Sequence, residues 1–223
     1  MKKKWFAAAL AGTLLAVLLL NGCASAQTAK RLRFGVAGEG GVYHAFGELY
    51  AALKNETDNG TVELKTTAGS AANLRLLTGE YLQLAIAQGD LAQDAYDQTG
   101  IFADEEETRG FGAVAALYTE ACQIIVPTDS PIESIEDLAG KTVSLGERES
   151  GVLQNALQVL DAYNLQESDF TPEYLSFSES AQAMKEGKID AAFITAAIPT
   201  PAVTNLADSI GVRVLSIDPF AVN

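Results

Sequence analysis

The sequence predicts an α/β protein made of two small lobes, and three observations carry that reading. From Arg31 onward, runs rich in Val, Ile, Leu and Phe alternate with amphipathic stretches of helical length, the pattern of parallel strands joined by helical crossovers. The alternation breaks once, over 99–127, and then resumes. At 223 residues with 48% apolar content, the chain can bury one large core or two small ones.

Residues 32–37 (LRFGVA) read as a buried strand, and 42–56 as a helix with Phe46, Leu49, Tyr50 and Leu53 on one face. A strand over 61–67, a helix over 70–80, a strand over 82–88 and a helix over 91–98 complete the first lobe. Asp104, Glu105, Glu106 and Glu107 mark 99–110 as an exposed acidic loop. The apolar stretch 112–127 is too long for one ordinary strand, so it is expected to leave one sheet and enter another near 118–121.

In the second lobe Ser134 and Asp137 form a capping pattern, with Gly140 ending a short helix. Then follow a strand (141–146), a helix (150–164), a strand (172–177) and a helix (178–187) closed by Gly187. A strand (189–196), a helix (200–209) and a strand (212–218) end the series. The first lobe is thus 31–117, the crossing 118–121 and the second lobe 122–215, with 216–223 starting a return toward the first lobe.

Ahead of the lobes, Lys2, Lys3 and Lys4 precede an apolar run that ends in Leu20-Asn21-Gly22-Cys23, the layout of a secretory signal. The cysteine after Leu-Asn-Gly resembles a lipobox, in which Cys23 is lipidated and becomes the first residue of the exported protein. Residues 1–22 then form a lipoprotein signal and 23–30 a linker, and the protein is anchored by lipid on the extracytoplasmic face. A plain signal peptide and an uncleaved anchor are the alternatives. The formal charge of −14 becomes more negative once the leader lysines are gone, which disfavours nucleic acid as a partner. Besides Cys23 only Cys122 remains, so neither an internal disulfide nor a cysteine metal cluster is expected.

Strand ends are followed by glycine, serine or threonine turns that open directly into helices: Gly38-Glu39-Gly40-Gly41, Gly69-Ser70, Ser150-Gly151 and Thr200. Helix starts offer free amides, and in open α/β sheets ligands sit beyond the carboxyl ends of the strands. Ordinary capping explains any one such turn, whereas several in both lobes suggest a cleft. Nucleotide loops are excluded: Tyr43 stands where the dinucleotide fingerprint needs glycine, and no Gly-Lys-Ser/Thr occurs. Catalysis lacks its parts, because His44 is the lone histidine and no serine lies in a nucleophile elbow. Cys122, inside an apolar strand, reads as a buried inert thiol, and no cofactor is expected.

These residues resemble the TRAP-associated extracytoplasmic immunogenic (TAXI) solute receptors. The matches are Gly38-Glu39-Gly40-Gly41-Val42-Tyr43, the run from Thr67 to Leu77, Ala85-Ile86-Ala87-Gln88-Gly89-Asp90, the run from Pro172 to Phe177, and the run from Ile194 to Pro201. The resemblance implies a type II periplasmic-binding-protein fold, two lobes around a cleft. It also implies capture of a small carboxylate or an amino acid such as glutamate for a TRAP-type membrane permease, with no enzymatic activity. A receptor for an ABC transporter or a sensor, a transferase of the same fold, and a remnant that binds nothing are the competing readings.

Carried over by position, the ligand would meet Gly41, Tyr43, Ser70, Asn73 and Gln88 from the first lobe. The second would supply Ser150, Gly151, Val152, Thr195 and Pro199. Ser70 and Asn73, three apart at a helix start, are expected to face one ligand. Tyr43 could stack on the guest or serve as a core aromatic. The family commonly has Thr or Ser at Glu39 and a Gly-Ser-Gly-Thr run where Glu149-Ser150-Gly151-Val152 stands. Glu39 would oppose an anion unless it faces solvent, and Arg148 could compensate. The family also continues past Asn223, so an incomplete first lobe is expected.

Overall fold

Strand β1 (Arg31–Gly35) lies at the centre of a three-stranded parallel sheet, flanked by β2 (Thr61–Lys65) and β3 (Leu84–Ala85). The structure is a computed structural model that describes residues 31–57, 61–105 and 109–218; the leader, the linker and Cys23 lie outside them. Three helices connect this sheet: α1 (Val42–Thr57), α2 (Ser70–Thr78) and α3 (Gly89–Asp97). Phe34, Val36, Val62 and Ile86 form its core with Ala51 of α1, while Leu74, Leu91 and Phe102 pack beneath α2 and α3. The expected loop 99–110 is exposed at Thr99, Gly100, Ala103, Asp104, Arg109 and Gly110, with Phe102, in a short 3-10 turn (Gly100–Phe102), fully buried against the lobe; Glu106 and Glu107 lie outside the described residues.

Helix α1 is rotated from its expected face. Leu49 and Leu53 are 73% and 61% exposed, while Phe46, Gly47, Tyr50 and Ala51 turn inward. The cause is Gly47, where a Cβ would stand 2.4 Å from Val36 Cγ1. Backbone packs where that side chain is missing, and this close approach sets the helix's orientation.

The apolar stretch 112–127 contributes one strand, β4 (Ala121–Pro127). Residues 111–120 are irregular, with Val114 86% and Leu117 45% exposed. The expected strand in the first sheet is thus absent, since β3 pairs with β1 alone among the described residues.

The second sheet has the order β6-β5-β7-β4-β8, with β5 (Thr142–Ser144), β6 (Thr171–Glu173), β7 (Ala191–Ala196) and β8 (Val212–Val214). Strands β5, β6 and β7 are parallel, whereas β4 runs antiparallel to β7 and β8. A wholly parallel sheet was the expectation. Parallel neighbours require a crossover, but β4 arrives directly from the first lobe and enters in the opposite sense.

Helix α4 (Gly151–Ala162) covers one face of this sheet, where Ala156, Val159 and Leu160 meet Ile124, Val143 and Phe193. Helices α5 (Phe177–Lys185) and α6 (Pro201–Ile210) cover the other through Met184 and Leu206 against Ile125 and Ile194. Strand β7 is buried at every residue, as a strand between two helical layers must be. The Ser134–Asp137 pattern forms as read, with the carboxylate accepting from Ser134 N and Oγ, but it nucleates only a 3-10 turn (Glu136–Leu138).

Candidate ligand-binding cleft

Four helix starts meet at one cavity: Gly41, Val42 and Tyr43 before and within α1, Gly69 and Ser70 at α2, Ser150 to Val152 at α4, and Ser176 and Phe177 at α5. Each follows a strand end, so the cavity lies at the carboxyl edges of both sheets. Gly69 faces Ser150 across the cleft with φ +127°, a backbone conformation that side-chain-bearing residues rarely adopt, which is what calls for glycine there.

The lobes are closed on one another. Ala72 N donates to Glu149 O at 3.0 Å and Ala202 N to Gly40 O at 3.1 Å. Gln88 Nε2 donates to Asn155 Oδ1 at 2.8 Å, and Ser178 Oγ to Glu39 O at 2.8 Å. Arg75 bridges Glu149 of the second lobe and Glu105 of the first. Glu149 holds φ +67°, left-handed backbone that a residue with a side chain seldom adopts.

The inner cavity is about 50 Å³ and adjoins an outer, more open chamber of about 510 Å³. Gln88, Glu120 and Thr195 line both. Of the residues expected at a ligand, Gly41, Tyr43, Ser70, Gln88, Ser150, Gly151, Val152 and Thr195 line the inner cavity. Ser70 Oγ accepts from Gln88 N at 3.1 Å, and Ser150 Oγ caps α4 by accepting from Leu153 N at 3.1 Å. That leaves the Gly151 and Val152 amides as the first-turn donors at the cavity.

Two expected residues lie elsewhere. Asn73 is fully buried inside the first lobe, donating to Val36 O and Ile86 O at 2.8 Å each and accepting from Thr67 Oγ1 at 2.8 Å. Spacing put Asn73 beside Ser70, but the carbonyls at the ends of β1 and β3 draw its amide inward. Pro199, in a cis peptide with Ile198, is exposed and outside the cavity. Arg148 stacks on Tyr174, 3.6 Å from the ring centre, and Glu39 is exposed; neither lines a chamber.

Sequence reasoning missed two acids, Glu120 and Glu147. Glu120 Oε2 accepts the Tyr43 hydroxyl at 2.9 Å, so Tyr43 is both packed and hydrogen-bonded at the cavity wall. Burial holds the Glu120 carboxyl above its usual range, and hydrogen bonds from Tyr43 and Gln88 only partly offset this. Burial and then Glu179 raise Glu147 likewise. Burial, with Glu120 nearby, drives the Tyr43 phenol far up. A lone acid in the otherwise apolar 112–127 stretch was the available signal for Glu120.

Two polar atoms at the junction lack a settled partner. Gln88 Oε1 accepts no hydrogen bond although the residue is only 9% exposed, and Thr195 Oγ1, in a residue 8% exposed, has only the weak Cys122 thiol beside it. Buried polar groups are seldom left so, and a guest that bonds them would complete the site. His44 is occupied, with Nδ1 3.3 Å from Ala37 O and Nε2 3.5 Å from Glu48. Among the described residues no acidic, histidine or cysteine cluster is placed to hold a metal, and no helix is long and apolar enough to cross a membrane.

Two α/β lobes closed around such a cavity are the architecture of the periplasmic solute-binding proteins, and solved structures share it. The alkanesulfonate-binding protein SsuA of Xanthomonas axonopodis pv. citri, bound to MOPS, is 22% identical with a TM-score of 0.56, the match covering 89% of this chain and 64% of that one. The binding-protein component of an ABC phosphonate transporter from Pseudomonas aeruginosa is 16% identical with a TM-score of 0.59, covering 86% and 66%. The holo arginine-binding protein of T. maritima is 15% identical with a TM-score of 0.51, covering 83% and 78%. The chain thus spans less than two thirds of the length of the first two. Residues 34–223 match the NMT1-like family, and the chain belongs to that family.

Proposed function

We propose that this protein is an extracytoplasmic solute receptor that closes its lobes on a small carboxylate or amino acid and delivers it to a membrane permease. One observation carries the reading. Gln88 Oε1 and Thr195 Oγ1, both buried, border a cavity that four helix starts surround. That is a place to hold a polar guest, and it contains no nucleophile–base pair to transform one. Closure would select a state the lobes already sample, and the permease would read that state.

Thermal melting with a panel of amino acids, dicarboxylates, sulfonates and phosphonates tests it. A cognate guest at a hundredfold its Kd should stabilise the fold by about 2.7 kcal/mol and be recovered unchanged. Turnover of the guest, or no shift with any compound, would refute the receptor reading.

The permease is of TRAP type on the strength of the residue runs around Gly41, Ser70, Gln88 and Thr195. An ABC permease is the second reading, favoured by the likeness to the alkanesulfonate and phosphonate proteins. Uptake into vesicles carrying the permease separates them: a TRAP partner needs an ion gradient and no ATP. Lipid on Cys23 is tested by detergent-phase partitioning, which Cys23→Ala should abolish.

A further inference from the structure

We propose that the guest is a zwitterion with a non-acidic side chain: Glu120 holds its ammonium group, and the helix starts of the inner cavity hold its carboxylate. This rests on the receptor reading and specifies the chemistry of that same site. The charges lining the two chambers decide it. The inner cavity carries Glu120 and Glu147, the outer one Glu120 and Asp90, and no Lys, Arg or His lines either among the described residues. Two arginines near the site are committed elsewhere, Arg75 to Glu105 and Glu149, and Arg148 to the Tyr174 ring.

An anion here has only neutral donors to meet: backbone amides, hydroxyls and, at the outer chamber, the carboxamides of Asn155 and Gln158. Those amides are real, since α1, α2 and α4 begin at the cavity, and a carboxylate suits them. A purely anionic guest would nevertheless sit beside two half-buried carboxyls with no cation to offset them. A guest that places an ammonium at the junction removes the conflict. There Glu120 Oε2 already faces the Tyr43 hydroxyl, and Gln88 Oε1 and Thr195 Oγ1 can accept from the same cation. The raised Glu120 carboxyl fits this too, because a charge that is costly in the empty cleft gains its partner on binding.

The size of the chambers agrees. About 50 Å³ holds roughly four waters, enough for the carboxylate end of an amino acid. Its side chain would extend into the outer chamber among Tyr118, Asn155, Gln158 and Asp90. A second carboxylate there would meet Asp90 and Glu120 without a counter-ion, so glutamate and other diacids are selected against.

Calorimetric titration of the full exported chain with the twenty common amino acids, glutarate, 2-hydroxyglutarate and short alkanesulfonates tests this. At least one neutral or basic amino acid should bind, with glutamate at least a hundredfold weaker and the amine-free acids weaker still. Glu120→Gln should lower the affinity for that amino acid at least thirtyfold, and Tyr43→Phe by a smaller factor, with both variants melting cooperatively. Equal binding of glutamate, glutarate or a sulfonate overturns the inference and leaves the receptor reading standing, as does unchanged affinity in Glu120→Gln. No binding by any compound overturns both.

Discussion

Gly151→Ala tests whether the lobes close by seating the first turn of α4 against Gln88. Built on the native backbone, the new Cβ would stand 1.7 Å from Gln88 Oε1, 2.4 Å from its Cδ and 3.1 Å from Ser70 Oγ. Ser70 can give way by a few tenths of an ångström, but Gln88 cannot stay. Either its carboxamide swings aside, breaking the 2.8 Å bond to Asn155, or the lobes part. The lost bond costs about 1 kcal/mol, and displacing a buried amide adds about 1–2 kcal/mol. The helix itself does not suffer, since alanine is favoured over glycine by up to about 1 kcal/mol. The penalty of about 2–3 kcal/mol therefore falls on closure, a shift of roughly 30- to 150-fold toward the open form. Spin labels at Leu53→Cys and Asp161→Cys, with Cys23 and Cys122 replaced by serine, report the inter-lobe distance by pulsed electron resonance. The alanine variant should show a longer distance population than the parent, with no loss of helical signal. Identical distance distributions would refute the reasoning.

Four further outcomes are expected. Arg75→Ala removes the ion pairs to Glu149 and Glu105 at the cleft rim; being part-exposed, they are worth no more than about 1 kcal/mol together, so opening should rise only a few-fold in the same distance assay and less at high salt. Asn73→Ala strands the Ile86 carbonyl, while Val36 O keeps Thr67 Oγ1 as a donor, and should cost about 1–3 kcal/mol in urea unfolding, with little change in guest affinity at temperatures where the variant is folded. Gly47→Ala drives a methyl into Val36 and should destabilise by about 1–3 kcal/mol, whereas the usual helix preference alone would stabilise. The Glu120 and Glu147 carboxyls are both raised in the fold, so the unfolded chain ionises first. Their contribution is then fully present below the ordinary carboxylate range and is lost as pH rises through it and through the raised folded values. Melting of Glu120→Gln from pH 4 to pH 8 should show a smaller decline than the parent, and an equal decline would refute the assignment for Glu120.

The order of elements was legible because strands buried on both faces leave unbroken apolar runs, as in β7, and helices between them keep their own period. Strand direction has no such trace. Nothing in the residues of β4 marks it as antiparallel, since periodicity is blind to sense and only the route from the first lobe decides it. The face of α1 was misread for a related reason: Leu49 and Leu53 fit the apolar stripe, but the close approach at Gly47 is a property of two packed surfaces.

The cleft shows the same division between local and tertiary information. Glycine and serine turns at helix starts are local chemistry, and most of those singled out, from Gly41 to Thr195, do meet at one cavity. Asn73 looked like its neighbour Ser70, because a polar side chain near a helix start reads alike whether it turns to a guest or to a carbonyl. Glu120 is the reverse case. Its element was misjudged as an unbroken sheet crossing, so its charge was passed over, although an acid alone in an apolar stretch is the residue least able to be there without a partner. Tyr43 and Gln88 supply part of that partnership. The part they do not supply, at an atom facing both chambers, is where a cation fits.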